Sequence, residues 1–122
     1  MKIHSLKYIL LVCLAVTTIC ACGAVPTDEP PGVGEKADRG YAACAPIIEA
    51  LEKYLSDKGT YPETLEELIP DYIDTIPAEV NENPIAYQKA EDGYSLSFYY
   101  IGPGMNWCNY TPEDGWNCSG AY

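Results

Sequence analysis

Apolar and polar positions alternate with a helical period over residues 41–58, YAACAPIIEALEKYLSDK. Ile47, Leu51, Tyr54 and Leu55 fall on one stripe with Ile48 beside it, while Glu49, Glu52, Lys53 and Asp57 take the opposite side. That spacing predicts one amphipathic helix. Pro46 fits the first turn of this helix or kinks a longer one, and Gly59 stands where a helix C-terminal glycine belongs. Pro62 can open a short second helix, with Glu63, Glu66 and Glu67 at its positive end and Leu65, Leu68 and Ile69 as its buried side. Pro70 and Pro77 then favour extended or turn backbone.

Beyond residue 84 the period changes to two. Ile85 and Tyr87 alternate with polar neighbours, and Asp92-Gly93 is a hairpin turn signal. Tyr94, Leu96, Phe98 and Tyr100 form one face of the next strand; Ser95, Ser97, Tyr99 and Ile101 form the other, up to a break at Gly102-Pro103-Gly104. Trp107 to Tyr110 and Trp116 to Ser119 flank a turn-rich loop. Pairing Tyr110 with Trp116 sets Asn109 opposite Asn117 and Cys108 opposite Cys118. Directly opposed Cβ atoms lie about 4.5–5.5 Å apart, so a Cys108–Cys118 disulfide is expected. A loop this short makes it worth about 2–3 kcal/mol. The fold class is therefore α+β: an N-terminal helix packed on a small antiparallel sheet that ends in a disulfide hairpin.

The start of the chain has a different character. Residues 1–22, MKIHSLKYILLVCLAVTTICAC, carry Lys2 and Lys7 before a short apolar run. This reads as a secretory signal, an uncleaved anchor helix being the alternative. Ile19-Cys20-Ala21-Cys22 resembles the bacterial lipobox, which implies a signal peptide over 1–21 and acyl chains (palmitate among them) on Cys22. Cleavage after Gly23 is the competing reading. Gly23 in place of Asp removes the inner-membrane retention signal, so the expected location is the cell envelope at the outer membrane. Residues 23–40, with three prolines, four glycines and few large apolar groups, read as a flexible acidic tether of about 25 Å reach, and the head as residues 41–122. Export supplies the oxidising compartment that the disulfide needs. Cys44 is left over as a small buried helix residue.

Charge narrows the function. After Cys22 five bases face eighteen acids, a formal −13. Nucleic acid is excluded as a partner by sign. The one histidine, His4, lies in the signal, and Arg39 is the sole arginine. No cofactor fingerprint, metal-ligand spacing or nucleophile motif is present. The acid pairs Glu66-Glu67, Glu91-Asp92 and Glu113-Asp114 are adjacent in sequence and do not face each other across a cleft, as hydrolysis would need. No catalytic residue, cofactor or metal is therefore assigned, and the chain reads as a non-enzyme. Eleven tyrosines and two tryptophans are the positive signal. Those near the C-terminal hairpin, with Asn106, Asn109 and Asn117, suit a protein hot spot or sugar stacking. Trp107, Tyr110, Trp116 and Tyr122 are the expected contact residues.

The stretch Ile47 to Tyr54, then Asp57-Lys58-Gly59-Thr60-Tyr61-Pro62 and Leu65-Glu66-Glu67-Leu68, resembles the globular part of type IV pilins and type II secretion pseudopilins. Tyr87 and Gly93-Tyr94-Ser95-Leu96 match the strand pair of that family. The resemblance spans roughly residues 45–101. It implies a pilin-like head that serves an envelope or secretion-system protein. The peptidase site and membrane-spanning half-helix of pilins are absent, which implies a head on a lipid anchor and not a filament subunit. The acids at Glu113-Asp114 are too few for the calcium cage of the major pseudopilin. A small secreted module that binds glycans through the same aromatics is the alternative.

Overall fold

The computed structural model describes residues 29–121. The signal peptide, Cys22 and Tyr122 lie outside the described residues, as does the first part of the expected tether. The order is helix α1 (Glu35–Lys58), a 3-10 turn (Leu65–Leu68), then strands β1 (Glu79–Val80), β2 (Asn83–Pro84), β3 (Ala86–Ala90), β4 (Gly93–Gly102), β5 (Gly104–Thr111) and β6 (Gly115–Ala121). β1 and β2 make a minimal hairpin, and β3-β4-β5-β6 form an antiparallel meander. The α+β expectation is met, with α1 laid on one face of the sheet.

The helix starts six residues before the stretch that its apolar period marks, inside the segment that reads as a tether. Gly34 turns the chain at φ 98°, and the first helical bond runs from the Asp38 N–H to the Gly34 carbonyl at 3.0 Å. Ala37 and Gly40 are buried in these early turns. Gly40 costs a helix about 1 kcal/mol in propensity. It is placed where an added Cβ would lie 2.1 Å from the Phe98 ring, so the helix backbone itself touches β4. Pro46 lies inside α1, on its exposed side. There the carbonyl freed by its missing N–H is exposed to water. Gly59 ends the helix in the left-handed region, its N–H on the Leu55 carbonyl at 2.8 Å.

The second helix is a single 3-10 turn that Thr64, not Pro62, opens. The Glu67 carboxylate accepts from the backbone N–H of Glu63 at 2.9 Å and of Thr64 at 3.1 Å, and so satisfies two donors at the helix start. Pro62 is buried upstream, with its carbonyl taken by the Tyr87 hydroxyl at 2.7 Å. The core joins Cys44, Ile47, Ala50 and Leu51 of α1 and Leu68 of the turn to Tyr94, Leu96, Phe98 and Tyr100 of β4. Cys108 and Cys118 are opposed in register and disulfide-bonded, as the hairpin pairing predicts. Cys44 is fully buried with a free thiol, which burial pushes up to about 12.

Candidate functional site

Strand alternation gives the sheet two unlike faces. Facing α1 are the core side chains of β4, with Asn106, Cys108 and Tyr110 of β5 and Trp116 and Cys118 of β6. Among the described residues nothing covers the other face, and the ladder orders it in rows. Ile101 stands opposite Met105, Tyr99 opposite Trp107 opposite Ser119, and Ser97 opposite Asn109 opposite Asn117. Gln88 and Ser95 continue it toward the β3–β4 turn. No Asp, Glu, Lys or Arg stands at an outward position of these four strands. Ile101 is 67 % exposed, Met105 65 %, Trp107 40 % and Tyr99 38 %. The Tyr99 and Trp107 rings lie nearly parallel, 22° apart in plane with centroids 6.4 Å apart.

The expected contact residues do not share one surface. Trp107 is on the open face. Trp116 is on the helix side, its ring 5.0 Å from Tyr41 and 5.3 Å from Phe98. Tyr110 packs beside it at 5.3 Å and against Tyr94 at 6.1 Å. These two rings close the core on the helix side, Trp116 against Tyr41 near the start of α1. The reason is parity: residue 107 is an odd number of positions from 110, so their side chains leave the strand in opposite directions. In their place the ladder brings Tyr99, Ile101 and Met105 to Trp107. The hairpin register, extended one strand back to β4, is the sequence signal that finds them.

A concavity of about 450 Å³ lies between the start of α1, the β1–β2 turn and the end of β4. Asn81 organises it. Its amide donates to the Lys36 carbonyl at 2.8 Å and its oxygen accepts from Arg39 Nε at 3.2 Å. The Lys36 ammonium donates to the Ile101 carbonyl, and Arg39 also pairs with Glu35 at 3.3 Å. Asn81 and Glu82 both hold positive φ, 52° and 65°, as a two-residue hairpin turn of the observed hand requires. The polar groups here are spent on one another and dock the small hairpin to the helix.

Two of the paired acids, Glu67 and Asp114, make local hydrogen bonds. Glu67 accepts from Tyr54 at 3.1 Å besides its two backbone donors, which holds its carboxyl below its ordinary value, the Thr64 N–H contributing most. Asp114 accepts from Thr111 across the hairpin turn. Among the described residues no group of His, Cys, Asp and Glu gathers as a metal site, and no helix is long and apolar enough to cross a membrane. Compared with protein-family models, curated proteins and solved structures, the chain matches none of them.

Proposed function

We propose that the chain is an exported bacterial lipoprotein, held at the outer membrane by acyl chains on Cys22, whose head binds an envelope component without catalysis through the open face of the β3–β6 sheet. The observation that carries this reading is the contrast between that face and the rest of the molecule. A chain segment of formal charge −13 keeps every charge off one whole sheet face and exposes Tyr99, Ile101, Met105 and Trp107 there. Contiguous exposed apolar surface of this kind marks interaction sites. The lipid anchor is supported by the lipobox-like end of the signal. The pilin-like character is supported by the order of elements, one helix laid on one face of an antiparallel meander with a proline-punctuated crossing between.

The test has two parts. Palmitate labelling in a bacterial host should mark the full-length protein and vanish in Cys22→Ala. Full-length protein should bind saturably to envelope fragments lacking it, and the Tyr99→Ser/Trp107→Ser variant should lose that binding while remaining folded by circular dichroism. Equal binding by the variant would defeat the assignment of the open face.

A further inference from the structure

The row order of the open face says more than that it binds. Tyr99 and Trp107 give two near-parallel rings side by side on adjacent strands. One row along stand Asn109, half-buried, and Asn117, exposed, directly opposite each other on β5 and β6. Rings supply broad apolar contact, whereas carboxamides supply both donors and acceptors without charge. A ligand that fits both rows has one flat apolar surface and a border of uncharged hydroxyl or amide groups. The rows cross three strands spaced about 4.8 Å apart, so a ligand lying along them is held over about 10 Å.

Charge decides between occupants. A second copy seated on this face would bring together two bodies that each carry −13 after Cys22, and an anionic polymer would meet the same field. A cationic partner would find its counter-charges on the acidic surface elsewhere, not here. A neutral polymer meets no such opposition. We propose that the open face is a platform for an uncharged, unbranched glycan, with the apolar side of its sugar rings on Tyr99 and Trp107 and its hydroxyl or acetamido groups on Asn109 and Asn117. This inference rests on the binding-face reading above and names its ligand class.

Detergent-purified full-length protein would be titrated with chitohexaose and with cellohexaose, and with an oligogalacturonate as the anionic control, following tryptophan fluorescence and heat. Trp107 faces the ligand and Trp116 does not, so the two tryptophans serve as reporter and internal control. The expected result is saturable binding of at least one neutral hexasaccharide and none of the oligogalacturonate. Trp107→Ala should weaken it about tenfold or more, Asn117→Ala several-fold, and Trp116→Phe not at all. Trp107→Phe, which keeps a ring, should retain part of the affinity and guards against a folding artefact.

Absence of saturable binding to both neutral sugars, equal binding of the anionic one, or an equal loss in Trp116→Phe would each overturn the inference. So would sedimentation showing a dimer that Trp107→Ala converts to monomer, since the occupant would then be a second copy. If the sugars fail while Tyr99→Ser/Trp107→Ser still abolishes envelope binding, only the glycan assignment falls. If that variant binds the envelope normally, the binding-face reading falls with it.

Discussion

The Tyr41 hydroxyl lies 3.1 Å from the Sγ of Cys118 and donates to the Gly32 carbonyl at 3.0 Å. One side chain on α1 thus meets both the disulfide hairpin and the chain that leads into the helix. Gly32 itself is held from its other side, its N–H donating to the Tyr100 hydroxyl at 2.8 Å. At φ 85° it has no room for a side chain, because a Cβ would fall 2.8 Å from Cys118 Sγ. Replacing Cys108 and Cys118 together by Ala should therefore cost about 2–3 kcal/mol from the lost cross-link. Urea unfolding of the oxidised protein and the double variant measures it. Cys44 should resist a thiol reagent in the folded protein and react fully in denaturant, because it is sealed in the core.

Gly40→Ala tests how closely helix and sheet meet. Alanine would gain about 1 kcal/mol of helix propensity at an open site. Here its methyl would overlap three atoms of the Phe98 ring at 2.1–2.4 Å. The net effect should be a loss of about 2 kcal/mol, read as a lower thermal midpoint. Gly40→Ala/Phe98→Leu should recover part of it, which a simple loss of backbone freedom would not allow.

Alkaline pH should unfold the protein through its tyrosines. Burial first, then the Glu52 carboxylate, pushes the Tyr61 phenol up to about 12; burial first, then Glu63, does the same for Tyr87. Tyr94 is raised as well, chiefly by burial. An unfolded tyrosine ionises near 10, so the folded state holds more protons between pH 10 and 12. The stability from these residues is complete below pH 10 and is lost as pH rises toward 12. Urea midpoints should be flat from pH 8 to about 9.5 and fall steeply above 10, with a late phase in the phenolate absorbance. A midpoint unchanged at pH 11 would contradict this.

The two tryptophans should separate stability from binding. Trp116→Ala removes a ring that contacts Tyr41, Phe98 and Tyr110, and should cost about 2–3 kcal/mol. Trp107→Ala removes a ring that is two-fifths exposed and has Tyr99 as its one aromatic neighbour among the described residues, and should cost about 1 kcal/mol or less. Denaturation of the two variants side by side reads the difference.

The four strands of the meander were legible because their period is two and their ends are marked, whereas β1 and β2, two residues each, are too short to show a period. The pairing of Tyr110 with Trp116 and of Cys108 with Cys118 followed from counting outward from one turn, and the ladder has that register. The start of α1 was not legible. Gly32, Gly34 and Gly40 with Pro30 and Pro31 have the composition of a linker, whereas each glycine here answers a steric demand from a residue far along the chain or a sharp turn. The candidate site was half legible. Trp107, Tyr110 and Trp116 are close in sequence, and closeness suggested one cluster. Their parity in the register divides them between core and open face, and it joins Trp107 to Tyr99 on the neighbouring strand.

The seat of Gly32 also has a mechanical consequence. A pull along the chain from upstream of Glu29 is handed to Tyr41 on the helix and to Tyr100 on β4, an interior strand with neighbours on both sides. Neither hydrogen bond runs to the sheet's last strand, β6, which Gly32 only packs against and which a covalent bond fastens to β5. Residues 30–33, tied to the helix and sheet by the two hydrogen bonds of Gly32, should give way first. They would then act as a fuse, lengthening under tension while the sheet and its open face keep their shape.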